Sequence, residues 1–350
     1  MKQCYDYIFI THIPSFYKVN LYNELSKKLN VFVIFVSSSS TQRTSDFTQK
    51  DTLFDHVILY DGNFESRPVI SNIWKLIRLL LKLKFKRVVV NGWDLLEFWI
   101  TVFMNKKKYN TLVLESTIAE SRIKGLLYAL KKIFILRISL AFPSGKLHQR
   151  LLIKLGFKGK YYMTKGVGLF MRTGGLKNEK KFDASFLYVG RLSPEKNIKL
   201  LIDIFNQNKD CRLSIVGNGP LKKELQKIAG PNIHFVSHVN HSEIAKVYLS
   251  HDVFLLPSIS EPWGLVVEEA LYYGLPVIVS SKAGCATEII NEGQTGFCFD
   301  PNDKHIFSLL IRKISNGDVF YRMKQNVNKI DMDKKDKYQV NVYINALQGF

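Results

Sequence analysis

The chain predicts an α/β protein built from two tandem, doubly wound Rossmann-like domains. Three observations carry this expectation. Short runs rich in β-branched and aromatic residues alternate with helix-length amphipathic stretches, the pattern of parallel strands joined by helical crossovers. The alternation stops in a passage rich in Gly and Lys and then begins again. At 350 residues and 46% hydrophobic composition, the chain is long enough for two cores.

In the first series Tyr7–Thr11, Val31–Ser37, His56–Tyr60, Arg87–Asn91, Thr111–Glu115 and Leu140–Pro143 read as strands. In the second, Ser185–Val189, Arg212–Val216, Ile233–Val236, Val253–Leu256, Pro276–Val279 and Gly296–Phe299 do so. Between them, within Met163–Phe182, Gly166, Gly168, Gly174 and Gly175 break any periodicity and Lys177–Lys181 is polar. The expected division is a basic domain at residues 1–165, a linker at 166–182, a second domain at 183–330 and a weakly amphipathic tail at 331–350, for which a closing helix that returns to the first domain is one reading. Open α/β sheets bind ligands beyond the carboxyl ends of their strands, so two such domains facing one another would share a cleft.

Composition narrows the function. The formal charge is +20 and uneven: residues 1–165 hold 27 Lys/Arg against 11 Asp/Glu, and residues 166–350 hold 23 against 19. Such a balance suits nucleic acid, an anionic membrane or an acidic glycan. No nucleic-acid-binding motif accompanies it, so nucleic acid is set aside as a partner and an anionic membrane surface is favoured. Ile73–Lys84 and Lys124–Arg137 mix apolar positions with cations and aromatics; such helices can lie on anionic bilayers, or simply cover a sheet with a basic outer face. Cys4, Cys211, Cys285 and Cys298 show no C-x-x-C spacing, which speaks against disulfides and zinc. The N-terminal stretch reaches Asp6, His12 and Pro14 too soon for a signal-peptide core, and the run Leu126–Phe142 is broken by Lys131, Lys132 and Arg137. The expected location is cytoplasmic, peripheral on the inner face of the cytoplasmic membrane.

The most informative segment runs Glu261-Pro262-Trp263-Gly264-Leu265-Val266-Val267-Glu268-Glu269-Ala270 and continues Leu-Tyr-Tyr-Gly-Leu-Pro-Val-Ile-Val. Glu261 falls in a Pro/Gly turn after a strand, and Glu269 on the helix that follows. The start of that helix favours anions through its amides and dipole. A carboxylate one or two turns along is placed to accept hydrogen bonds from hydroxyls. The segment resembles the Glu-x7-Glu signature of retaining glycosyltransferases of family 4. That resemblance implies the two-domain GT-B fold, a nucleotide-sugar donor bound by the second domain, and no metal or other cofactor.

Phe186-Leu-Tyr-Val-Gly190-Arg191-Leu-Ser-Pro-Glu-Lys196-Asn197 opens the second domain. A strand ending at Gly190 delivers Arg191, and Lys196, expected at the start of the next helix, can reach the same ligand. Two cations converging on a leaving diphosphate stabilise the charge that develops there. The pattern is similar to the family's Gly-Arg-Leu…Glu-Lys-Asn grip. Val216-Gly217-Asn218-Gly219-Pro220 is either a plain tight turn or, as the resemblance implies, a lining of the nucleotide pocket reached closely because Gly217 and Gly219 lack side chains. Ser280–Gly284 is similar to the family's small-residue loop near the sugar, with Cys285 where relatives more often carry Gly. The resemblance further implies that Glu261 bonds the donor sugar, that Glu269 binds the ribose hydroxyls, that amides from Trp263, Gly264, Leu265 and Val266 with Pro262 shape the anion site, and that His238 borders the base pocket.

His234, His238, His241 and His251 crowd one stretch, but they pass through a strand, a turn and a helix without a completing ligand set. Asp331-Met332-Asp333 lies in a Lys-rich tail and reads as solvated charge. In the first domain His12 directly follows the first strand and could assist an acceptor hydroxyl or serve as a hydrogen-bonded loop residue. Asp94 and Glu115, at the ends of the fourth and fifth strands, could contact the acceptor or cap loops. The expected activity is retaining transfer of a sugar from a nucleotide-sugar donor, a UDP-sugar by preference, to a cell-envelope glycan or lipid-linked acceptor. A nucleotide-sugar epimerase or hydrolase on the same fold and a non-catalytic membrane-bound scaffold are the alternatives.

Overall fold

The computed structural model describes residues 4–170, 172, 181–237, 239–240 and 243–348. The chain forms two compact units, Met1–Met171 with Asp333–Phe350, and Arg172–Met332.

The first unit runs β1 (Cys4–Thr11), α1 (Phe16–Ser26), β2 (Val31–Phe35), β3 (Asp55–Ile58), α2 (Val69–Lys82), β4 (Lys84–Val90), α3 (Leu96–Met104), β5 (Asn110–Leu114), α4 (Gly125–Leu136), β6 (Leu140–Pro143), α5 (Lys146–Lys154) and β7 (Lys160–Tyr161). Its strands pair in parallel in the order β3-β2-β1-β4-β5-β6-β7. Side chains alternate across a strand, so β1 serves two cores. Ile8 and Ile10 pack with Leu76 and Leu80 of α2, Phe98 and Val102 of α3, and Phe134 and Ile135 of α4. Tyr7 and Phe9 pack on the other face with Val19, Tyr22 and Leu25 of α1.

The second unit runs β8 (Ser185–Val189), α6 (Ile198–Phe205), β9 (Arg212–Val216), α7 (Lys222–Ile228), β10 (Ile233–Val236), α8 (Ile244–Leu249), β11 (Val253–Leu256), α9 (Leu265–Tyr272), β12 (Val277–Ser280), α10 (Ala286–Ile289), β13 (Gly296–Phe299), α11 (Lys304–Ile314) and α12 (Gly317–Val327). Its sheet is also parallel, in the order β10-β9-β8-β11-β12-β13. The tail forms α13 (Met332–Gln348), whose Val340, Tyr343 and Ala346 bury against the Tyr7–Phe9 face in the first unit. Tyr7 donates its hydroxyl to the Tyr343 carbonyl at 2.8 Å, so the tail closes one of that unit's two core layers.

Several expected boundaries move. β1 and β4 begin earlier, at Cys4 and Lys84, in rungs where exposed Cys4, Lys84 and Lys86 and half-buried Asp6 interrupt the apolar run. β2, β3 and β5 end earlier, at Phe35, Ile58 and Leu114, where the chain turns into the loops above the sheet. The basic stretch around Ile73–Lys84 is not all helix, since α2 stops at Lys82 and Lys84 opens β4. Lys196 lies in a 3-10 turn, Pro194–Lys196, separated from α6 by Asn197 in the left-handed conformation (φ 55°), which Asn tolerates better than most residues. β7 has only two residues, too few to carry a period. No helix among the described residues is long and apolar enough to cross a membrane.

Candidate active site

In the second sheet the chain runs outward from β8 through β9 to β10, then restarts at β11 on the other side. The order reverses between β8 and β11, and loops leaving those two strands diverge, which opens a ligand-sized crevice in sheets of this kind. Arg191 and Lys196 follow β8, and Glu261 follows β11. Lys196 Nζ lies 2.5 Å from Glu261 Oε2, with both side chains mostly shielded from solvent.

Backbone contacts fix that approach. The Ile259 amide donates to the Glu195 carbonyl (2.9 Å), and the Asn197 side-chain amide donates to the Pro257 carbonyl (3.3 Å). The Ser193 hydroxyl donates to Glu195 Oε1 at 2.5 Å. Burial pushes the Glu195 carboxyl up, but this hydroxyl together with Lys196 and Arg191 brings it below its ordinary range. Arg191 itself is exposed, and its carbonyl accepts from the Tyr188 hydroxyl at 3.1 Å.

Gly264 precedes α9 at φ +98°, in the region where a side chain is strained. A Cβ there would also press within 3.1 Å of Leu256 and 3.2 Å of Cys285 Sγ. The turn is stitched to the loop after β12, since the Gly284 amide donates to the Glu261 carbonyl and the Cys285 amide to the Trp263 carbonyl, both at 3.0 Å. Cys285, unusual beside the family pattern, is thus a fully buried packing residue. Pro262 is exposed, Leu265 and Val266 are half-buried, and the Trp263 ring is buried.

Both acids of α9 have internal partners that the sequence reading missed. Trp263 Nε1 donates to Glu268 Oε1 at 2.6 Å, and Tyr248 donates its hydroxyl to Glu269 Oε2 at 2.8 Å. Tyr248 is held by stacking on Tyr273, with ring centroids 5.3 Å apart. Burial raises Glu269 to about 7; the Tyr248 bond opposes the shift and the charge of Glu268 adds to it. The available signal was Glu268 itself, an acid set between Val267 and Ala270 on a buried helix face.

Gly217 and Gly219 have a chain-packing role that the sequence did not reveal. A Cβ on Gly217 would lie 2.0 Å from the Gly190 carbonyl oxygen, and one on Gly219 would lie 2.3 Å from that of Leu192. The two loops cross there, joined by the Leu192 amide donating to the Asn218 carbonyl at 2.9 Å. Their small size is thus demanded by neighbouring backbone, whatever ligand comes near. His238 and His241 lie outside the described residues. His251 bonds the Val247 carbonyl and the Ser214 hydroxyl, each at 2.7 Å. Among the described residues no group of three His, Cys, Asp or Glu side chains is arranged to hold a metal ion.

The first sheet reverses its order between β1 and β4. His12 follows β1 and Asp94 follows β4, and His12 Nε2 lies 2.7 Å from Asp94 Oδ2. Phe64 and Phe98 flank the imidazole, each ring centroid 5.4 Å away. Glu115, one strand along, is instead engaged by the buried Lys18 ammonium, a partner the sequence did not suggest. Burial pulls the Lys18 amine well below its ordinary range.

Residues 175–330 match the family model for glycosyl transferases group 1. Over 121 residues, a third of this chain, the sequence is 40% identical to the sulfoquinovosyl transferase SQD2 of Arabidopsis thaliana, and the chain spans about a quarter (24%) of that relative's length. The whole fold superposes on the sucrose-phosphate synthase of Thermosynechococcus elongatus with a TM-score of 0.74 at 16% identity, covering 99% of this chain and 98% of the other. It also superposes on Anabaena Alr3699/HepE in complex with UDP and glucose, with a TM-score of 0.72 at 14% identity and 99% of each chain covered. The architecture is therefore GT-B: two parallel, Rossmann-like sheets with helices.

Proposed function

We propose that the chain is a retaining glycosyltransferase of family 4 that moves a sugar from a nucleotide-sugar donor, a UDP-sugar by preference, to a cell-envelope glycan or lipid-linked precursor. The observation that carries this reading is the meeting of Lys196 with Glu261 at the switch point of the second sheet, inside the segment matched by the glycosyl transferases group 1 model. The bond to be broken joins the sugar's anomeric carbon to a diphosphate oxygen, so negative charge grows on the departing nucleotide. Arg191 and Lys196 stabilise that charge. Glu261 holds Lys196 in position and bonds the sugar hydroxyls, and Glu269 accepts hydrogen bonds from the ribose. The turn from Pro262 to Gly264 and the start of α9 at Leu265 and Val266 face the anion, the helix with the positive end of its dipole. UDP as the nucleotide is supported by the similarity to the UDP- and glucose-bound Anabaena protein.

The first unit presents the acceptor in this reading. The His12–Asp94 pair at its own switch point supports a contact to an acceptor hydroxyl, while Glu115 is committed to Lys18. The excess of Lys and Arg in residues 1–165 supports work at an anionic surface, peripheral on the inner face of the cytoplasmic membrane. No metal takes part, because the two cations do the work a divalent ion would do at the diphosphate.

A panel of nucleotide sugars, offered with and without lipid-linked and soluble glycan acceptors, tests the proposal. Acceptor-dependent release of nucleoside diphosphate, with the donor's anomeric configuration kept in the product by NMR, is the expected result. Conversion of donor without acceptor would make the chain an epimerase or hydrolase. Donor binding with no turnover on any acceptor would leave a scaffold.

A further inference from the structure

Three helices of the first unit pack side by side on one face of its sheet, and their outward sides do not look like the surface of a water-soluble domain. α2 buries Leu76 and Leu80 inward, yet holds Ile70, Trp74 and Leu81 outward, with Trp74 60% and Leu81 75% exposed. α4 buries Phe134 and Ile135 inward, yet holds Leu126, Leu127, Leu130, Ile133 and Leu136 outward, with Leu126 76% exposed. Spacings of four and seven residues on α2, and of three from Leu127 through Leu130 and Ile133 to Leu136 on α4, put each outer set on one side of its helix. α3 lies between them. Its Trp99 ring meets Phe134 of α4 at 5.0 Å, and it adds Leu96, Phe103 and Met104 to the open side.

Cations border these stripes. α2 carries Lys75, Arg78 and Lys82, α4 carries Lys131 and Lys132, and neither helix contains an acid. The one acid of α3, Glu97, is buried against Arg67 and offers the surface no negative charge. Lys131 and Lys132 lie over the rings of Trp93 and Tyr128, at 5.2 and 5.5 Å. Apolar ridges with flanking ammonium groups match a bilayer with anionic headgroups: the ridges enter the acyl boundary while the cations reach phosphate. A second copy of the same face would bring like charges together, which argues against self-association.

We infer that the outward face of α2, α3 and α4 is a docking surface for an anionic lipid bilayer. This rests on the membrane reading given above and is independent of the donor chemistry. Its test is flotation of the full chain with phosphatidylcholine vesicles, with and without phosphatidylglycerol, beside the triple variant Trp74→Ser, Leu130→Ser, Ile133→Ser. These positions are exposed, so the variant should keep its circular dichroism, and its nucleoside diphosphate affinity should equal that of the unaltered chain. The expected result is binding to the anionic vesicles only, falling steeply between low and physiological salt and weakened on the order of tenfold or more in the variant. Undiminished binding by the folded variant, equal binding to neutral vesicles, or no binding at all overturns the inference. So does a dimer, seen by sedimentation, that the same three changes dissociate. Failure of nucleotide binding in both proteins would bear on the donor site alone and leave the vesicle result to stand by itself.

Discussion

Lys196 Nζ and Glu261 Oε2 lie 2.5 Å apart across 65 residues of sequence, and neither side chain is well exposed. The cation proposed for the diphosphate and the acid proposed for the sugar are therefore one electrostatic unit. Removing either leaves the other charged in a poorly solvated place, which is costlier than losing the contact itself.

This predicts strong non-additivity. Lys196→Ala should lower kcat by on the order of 10²–10³, Glu261→Ala should also lower it severely, and the double variant should be little worse than the poorer single. The coupling in a double-mutant cycle should then approach the smaller single effect, about 3 kcal/mol, the upper end of what contacting residues show. Steady-state kinetics measure it, and single effects that simply multiply would show that the two groups act apart.

Glu269 predicts a pH dependence. Its folded-state value of about 7 stands above its ordinary 4.5, chiefly because it is buried. The stability this proton contributes is fully present below about pH 4.5 and is lost as the pH rises through 7. Glu269→Gln should therefore gain stability relative to the unaltered chain between pH 5 and pH 8, read from urea midpoints. The charged form is the better acceptor for ribose hydroxyls, so nucleotide affinity should rise over the same interval. Tyr248→Phe removes the bond that favours the carboxylate and should move that rise to higher pH. A flat affinity profile in both proteins would remove Glu269 from the nucleotide contact.

Trp263→Phe keeps an aromatic ring but removes the pyrrole portion of the buried indole, and with it the N–H that Glu268 accepts at 2.6 Å. Losing this donor at a buried carboxylate, together with the ring volume, should cost about 1–3 kcal/mol of stability, measured by denaturant unfolding. An unchanged midpoint would mean that the turn does not depend on this bond.

Turnover should persist in EDTA and gain nothing from manganese or magnesium, since Arg191 and Lys196 are assigned the diphosphate charge. Activity abolished by chelation and restored by a divalent ion would overturn that assignment.

What the sequence revealed about this molecule follows how local each cause is. β6 and most strands of the second sheet were legible to the residue, because a buried parallel strand is a short apolar run closed by turn residues. The α9 turn was legible for a similar reason, since Pro262, Gly264 and both acids sit within nine residues. Tyr248 and Lys18 were not, because each meets its acid only through the fold, and 97 residues separate Lys18 from Glu115. Gly217 illustrates a third case. Its glycine was visible, but the neighbour that demands it, the Gly190 carbonyl, belongs to another loop.

In the proposed reaction the second unit grips a nucleoside diphosphate with Arg191, Lys196 and Glu269. Isothermal titration of UDP into the full chain and into Arg191→Ala and Glu269→Ala, each checked for folding by circular dichroism, tests this grip most directly. Saturable binding by the unaltered chain is expected, with a loss of about 1.5–3 kcal/mol in Glu269→Ala and weaker binding in Arg191→Ala as well. UDP binding of equal strength in all three proteins would contradict it.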